Sequence, residues 1–168
     1  GGCQVALTLT IGNILQKLEE KKTVSCLFID FYKAFDKATT SRILNALSLL
    51  QAPINCIYWF YNFMSNRKHR VFFDNNNISN FIDAKSGVPQ GSIAGPILFA
   101  ILLHTLKLIH TNIKYIKYAD DLTILHHGDK RTVNYIIQSE LDNSWCLNNK
   151  MLINVSKIKI MQFSSFAV

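Results

Sequence analysis

Acidic residues are scarce in this chain: 11 Asp and Glu stand against 18 Lys and Arg, which leaves a net charge of +7 over 168 residues. That balance excludes an acidic solvating segment and favours a polyanionic partner such as nucleic acid, although basic charge alone does not establish one. Long apolar runs are lacking too. The longest, Ile93 to Leu103, contains Gly95 and Pro96 and falls short of the roughly 20 residues that span a bilayer, so neither a transmembrane nor a signal segment is expected, and no membrane partner. Cysteine is sparse: Cys3, Cys26, Cys56 and Cys146 have no short paired spacing, which excludes a zinc knuckle or a disulfide framework and implies reduced thiols. The 49% hydrophobic content suffices for one core and the length is too short for two, so residues 1–168 are read as a single domain. The chain begins at Gly1 without a methionine and closes just after a strand-like stretch, which reads as a piece of something larger.

Hydrophobic periodicity gives the order of elements. Leu7, Ile11, Ile14, Leu15 and Leu18 predict a helix over residues 5–20, followed by a strand that ends at Asp30. Thr39, Thr40 or Ser41 caps a helix carrying Ile43, Leu44, Leu47 and Leu50, and Pro53 opens another with Ile54, Ile57, Tyr58, Tyr61 and Met64. Residues 68–84 read as a hairpin around Asn75-Asn76-Asn77, and Gly87 to Ser92 as a break. A largely buried helix over 97–109, a hairpin over 113–126, a helix over 132–147 and strand-like alternation over 151–163 complete the chain. Trp59 and Trp145 are taken as core, His104 and His110 as packed or capping side chains, and His126 to Asp129 as a polar turn. Such an order predicts an α+β fold, an antiparallel sheet backed by helices.

Two acidic stations stand out. Asp30 closes the apolar run Val24-Ser25-Cys26-Leu27-Phe28-Ile29, and Asp120-Asp121 follow Tyr118-Ala119. An unpaired carboxylate inside a core costs several kcal/mol or so, which places all three at the rim of a sheet. Hard oxygen donors without a Cys/His chelate favour Mg²⁺, or Mn²⁺, over Zn²⁺. Neighbours on an extended strand point to opposite faces, so Asp120 is ranked ahead of Asp121 as the partner of Asp30 unless the bend twists one round.

Four segments in this order resemble the palm motifs of reverse transcriptases, most closely those of non-LTR (LINE-type) retrotransposons: Phe28 to Asp36, Gly87 to Ser92 with Gly95-Pro96, Tyr118-Ala119-Asp120-Asp121 (a YADD motif), and Asn154 to Lys157 with Lys159. Met64-Ser65-Asn66-Arg67 before a strand also fits. A lone YADD is a weak signal, but the ordered set is specific. The resemblance implies a polymerase palm with part of the fingers, the thumb missing. It implies an RNA-directed DNA polymerase that extends a DNA primer on an RNA template with deoxynucleoside triphosphates. Two Mg²⁺ would be held by Asp30, Asp120, Asp121 and the backbone carbonyl of Phe31.

The same resemblance makes Phe35 the aromatic that blocks a ribose 2′-hydroxyl, against a plain core role. It places Gln90, beside Gly91, on nucleotide or template, and Lys157 at the departing pyrophosphate, against a solvated strand lysine. Arg67, Lys68 and Arg70 either steer a phosphate backbone or form a solvated basic edge. Ile158 stands where the family usually has threonine, and His104-Thr105 where it often has Asn-Asp. Location inside the cell, in the nucleus, is likewise an implication of the family, and the oligomeric state is left open. Two rivals remain: a catalytically inactive relic with at most nucleic-acid binding, and an unrelated two-metal nuclease, which would not explain Gly87 to Ser92.

Overall fold

The computed structural model describes residues 2–74, 77–84, 86–107, 110–128, 139 and 144–164. The chain divides into two compact units, residues 1–34 with 106–168 and residues 35–105.

The first unit is built on an antiparallel four-stranded sheet in the order β6-β7-β1-β8, with β1 Thr23–Asp30, β6 Ile113–Tyr118, β7 Asp121–Gly128 and β8 Lys159–Phe163. β1 is apolar on both faces, and a strand of that kind belongs in the interior of a sheet, where it has a neighbour on each side. Its residues 24–27 are all buried. Helix α1, Cys3–Glu19, lays Ile14 on Val24 and Cys26 of β1, Ile116 of β6 and Leu125 of β7. Leu7, Ile11 and Leu15 of the same predicted stripe are exposed, so α1 buries a narrower face than its periodicity suggests.

The predicted strand over 151–163 is corrected. Only β8 is regular; Val155–Lys157 form a 3₁₀ turn, because residues 154–158 stand opposite only Ile29 and Asp30 and the excess must loop out. The short helix α6, Ser144–Asn148, carries Trp145, buried as expected and 6.1 Å from the ring of Phe31. Most of the predicted helix over 132–147 lies outside the described residues, as does Asp129. The polar-turn reading fails for His126 and His127, which are strand residues paired with Ser25 and Val24, His126 fully buried.

The second unit contains α2 Ala34–Lys37 at its border, α3 Thr40–Leu49, α4 Ile54–Met64 and α5 Ala94–His104. α3 packs on both α4 and α5. α5 runs three residues earlier and ends sooner than predicted, and buries Leu98, Phe99, Leu102 and Leu103. The hairpin is real but split: β2 Lys68–His69 pairs β5 Ile82–Asp83, and β3 Phe72–Asp74 pairs β4 Asn77–Ile78, with an irregular register. Trp59 is not core. It is exposed on α4 and stacks on Phe63, one helical turn on, at 5.3 Å. Of the stripe predicted for α4, Met64 is buried, while Ile54, Tyr58 and Tyr61 face solvent. His104 is exposed at the end of α5, and His110 meets the Ser139 hydroxyl at 2.8 Å. All four cysteines are free thiols. Among the described residues no helix is long and apolar enough to cross a membrane.

Candidate functional site

The carboxylates gather at one end of the first unit's sheet. The β1–β7 register sets Asp30 directly opposite Asp121, so the two side chains share a face, a separation at which like charges repel. Asp120 lies in the two-residue loop between Tyr118 and Asp121. Ala119 closes that loop at φ 49°, the left-handed geometry that tight hairpin loops demand. Burial, and then the negative charges of Asp120 and Asp30, raise the proton affinity of Asp121, with Lys157 acting against them. Asp121 therefore feels both other acids, and by register it is Asp121 that stands across from Asp30.

Asp30 has two donors on one oxygen. Lys157 Nζ is 3.1 Å from Oδ2 and Asn154 Nδ2 donates to the same atom at 3.2 Å. The backbone supports this arrangement: Asn154 N–H donates to the Asp30 carbonyl at 2.8 Å and Tyr32 N–H to the Leu152 carbonyl at 2.7 Å. Carbonyls alternate along an extended strand, so the Phe31 carbonyl is directed away from the 152–154 segment, toward the side on which β7 lies. Beside the acids a cavity of about 570 Å³ opens between α1 and the sheet, with Asp30, Asp121, Tyr118 and Lys157 at its polar end.

In the second unit the break at residues 86–92 is held against the start of α2. Gly87 has φ 83°, and a Cβ there would meet the Phe35 carbonyl oxygen and Asp36 Cα at 2.9 Å, so only glycine fits. Val88 N–H donates to the Phe35 carbonyl at 3.0 Å, Ser86 Oγ to the Asp36 carbonyl at 3.2 Å, and Gln90 Nε2 to Asp36 Oδ1 at 2.8 Å. Gly91 also has a left-handed φ, 80°, but a Cβ there would meet open space. Phe35 is half-buried with its ring 5.1 Å from that of Phe99. Arg67 donates to the carbonyls of Met64 and Gly87. Lys68 faces Asp83 at 3.9 Å with both side chains largely exposed, a pair worth little in water. Arg70 lies between the rings of Phe72 and Phe81, 4.7 Å from each centroid.

Residues 5–166 match the family described as Reverse transcriptase (RNA-dependent DNA polymerase). The chain belongs to that family. Among its relatives, the RNA-directed DNA polymerase from mobile element jockey of Drosophila funebris is 28% identical over 162 residues, covering 90% of this chain and 17% of the relative. The Retrovirus-related Pol polyprotein from type-1 retrotransposable element R1 2 of Nasonia vitripennis is 33% identical over 76 residues, 44% of this chain and 18% of the relative. These relatives agree with the non-LTR resemblance of the motifs, and the chain spans less than a fifth of their length. The fold is also that of telomerase. The apo enzyme of Candida tropicalis, truncated from its C-terminal domain, superposes with a TM-score of 0.69 at 14% identity, over 98% of this chain and 36% of that one. The form in complex with a TWJ fragment of telomeric RNA gives 0.73 at 10% identity, over 99% and 30%.

The α+β fold with its antiparallel sheet is thus that of a reverse transcriptase. Within it the first, third and fourth motifs meet in one unit, through Asp30, Asp120, Asp121 and Lys157. The second motif meets the tail of the first in the other unit, through Gln90 and Asp36. Two side chains with clear roles in these contacts had been given none by the sequence. Asn154 is Asp30's neutral partner and Asp36 is Gln90's. Both lie inside the quoted motifs, but a partner 124 or 54 positions away leaves no local pattern.

Proposed function

We propose that this chain carries the nucleotidyl-transfer centre of an RNA-directed DNA polymerase that extends a DNA primer on an RNA template from deoxynucleoside triphosphates. The observation that carries the reading is the convergence of Asp30, Asp120 and Asp121, brought from two strands and a loop to one end of one sheet, with Lys157 beside them. Residues 1–168 are then one reverse transcriptase domain segment, palm with part of the fingers, working in the nucleus.

A divalent cation fits the chemistry of this donor set. Three carboxylates at one sheet end, one of them with its acid form favoured by burial and by its neighbours' charge, offer hard oxygens and an excess of negative charge. The present side-chain arrangement is not a finished cage: among the described residues no three His, Cys, Asp or Glu side chains are grouped to hold an ion, and Asp30 is engaged by Lys157 and Asn154. Asp30, Asp120 and Asp121, with the Phe31 carbonyl, would hold two Mg²⁺, or Mn²⁺. Bound there, the ions would favour ionisation of the primer hydroxyl and offset charge on the leaving pyrophosphate. Lys157 neutralises Asp30 at rest, and to donate a proton to the leaving group its ammonium must part from that carboxylate. Asn154 keeps Asp30 oriented when Lys157 moves. Phe35, its ring held by Phe99, screens the sugar 2′ position. Gln90 touches nucleotide or template. Lys68 and Arg70 contribute to backbone attraction, while Arg67 is engaged in holding the turn.

The test is Mg²⁺-dependent primer extension on an RNA template, with this chain alone, with the full-length protein that carries it, and with Asp120→Ala in both. Extension that disappears with Asp120→Ala supports the reading. A folded full-length protein that extends nothing in Mg²⁺ or Mn²⁺ would instead be a relic, and strand cleavage without nucleotides would point to a nuclease.

A further inference from the structure

The turn at 86–92 is fixed at several points. Arg67 holds the Gly87 carbonyl, Ser86 and Val88 bond the backbone of Phe35 and Asp36, and Gly87 sits so close to that backbone that no side chain fits. On this rigid base Gln90 projects, exposed, at the edge of a groove of about 910 Å³ that also presents Arg67, Lys68 and His69. A glutamine amide carries a donor end and an acceptor end, and nothing in its own conformation decides which one faces outward. Here Asp36 decides it. A carboxylate accepts and does not donate, so the 2.8 Å contact to Asp36 Oδ1 must be made by the Gln90 Nε2 group. The reversed amide would set two acceptor oxygens against each other.

We propose that Asp36 is a positioning residue that orients Gln90 so that its Oε1 faces the groove as an acceptor, and that this acceptor selects a hydrogen-bond donor on a nucleotide unit, a sugar hydroxyl or an exocyclic amine. Fixing the amide in advance removes the ordering cost of binding. The proposal rests on the reading of Gln90 as a nucleotide or template contact and adds which chemical group it recognises and what sets it.

Primer-extension kinetics and template affinity in the full-length protein test it, with Gln90→Ala, Asp36→Ala, Asp36→Asn and the double variant Asp36→Ala with Gln90→Ala. Gln90→Ala should raise either KM for the nucleotide or Kd for the template about tenfold, the loss of one hydrogen bond, with kcat little changed. Asp36→Ala should raise the same constant about twofold, because roughly half of the amide population then faces the wrong way. Asp36→Asn offers a donor as well as an acceptor, so it satisfies either amide orientation and should show much the same loss as Asp36→Ala. In the Gln90→Ala background Asp36→Ala should add nothing. Movement of KM assigns the donor to the incoming nucleotide. Movement of Kd on RNA but not on a DNA template assigns it to a 2′-hydroxyl, and equal movement on both to a base amine. An effect of Gln90→Ala with none of Asp36→Ala overturns the orienting role and leaves the Gln90 contact standing. Equal effects of Asp36→Ala in both backgrounds also overturn it, since Asp36 would then act without Gln90. No effect of Gln90→Ala removes the underlying contact and the proposal with it.

Discussion

The two units of this chain handle polar groups in opposite ways. The first brings like charges together on a regular sheet, where strand register sets Asp30 opposite Asp121 and the loop adds Asp120. Among the described residues, Lys157 and Asn154 relieve Asp30. The second unit fixes its turn by pairing each polar group, through backbone carbonyls, a glycine, the Arg67 guanidinium and one Asp–Gln bond. Under the proposed function, concentrated like charge suits a step in which charge develops, and a rigidly held turn suits recognition. One unit thus holds its polar groups by strand register and the other by backbone contact, and each is vulnerable to a different kind of substitution.

That contrast can be broken from either side. The largest expected effect is on turnover: Asp30→Ala in the full-length protein should lower kcat by about a thousandfold or more while leaving nucleotide KM within a few-fold, because a charge and not a binding surface is lost. A change confined to KM would erase the distinction between the units. Gly87→Ala should come next. Its Cβ would collide with backbone at 2.9 Å and require a left-handed φ, which should cost roughly 2–3 kcal/mol of stability, read by denaturant unfolding. Gly91→Ala, with equal φ but open space around it, should cost about 1 kcal/mol, so equal losses at the two sites would show that close approach is not what fixes the turn.

A smaller effect is expected from pH. Burial, and then the charges of His127 and His110, hold His126 below the ordinary histidine value of 6.5. Its Nε2 meets Asn112 at 2.9 Å, while Nδ1 is buried without a hydrogen-bond partner among the described residues. The folded state thus resists a proton that the unfolded state accepts. Stability from this group is fully present above about pH 6.5 and is lost as pH falls from there through the lower folded value. Melting temperature should decline below pH 6.5, and His126→Gln should flatten the slope. An unchanged slope would shift the effect to His127, which burial likewise lowers. The smallest effect is at the hairpin: Ala119→Gly relieves a left-handed alanine and should stabilise by about 1 kcal/mol. If it instead lowers extension sharply with stability raised, the strained loop is what aims Asp120.

The legible part of this protein was local. Periodicity located α1, α3 and the Asp120 hairpin within a few residues, since a repeat of 3.6 or 2 needs only neighbours to be seen. It misjudged α4 and Trp59, whose apolar residues face solvent, because a hydrophobic stripe states which face is apolar and not whether anything covers it. It misjudged His126 in the other direction, since strand pairing and burial, not composition, removed it from water.

Ordered motifs, whose residue types are demanded by chemistry, were enough to identify the family and the side chains that could carry charge to a sheet end. It took the folded chain to set Asp121 opposite Asp30, to bring Asn154 and Lys157 to one oxygen of Asp30, to commit Arg67 to a turn, and to face Asp36 with Gln90. The reason is physical. A residue's chemistry is written at its own position, whereas register and long-range hydrogen bonds are settled by how the whole unit satisfies its backbone and buries its apolar faces at once.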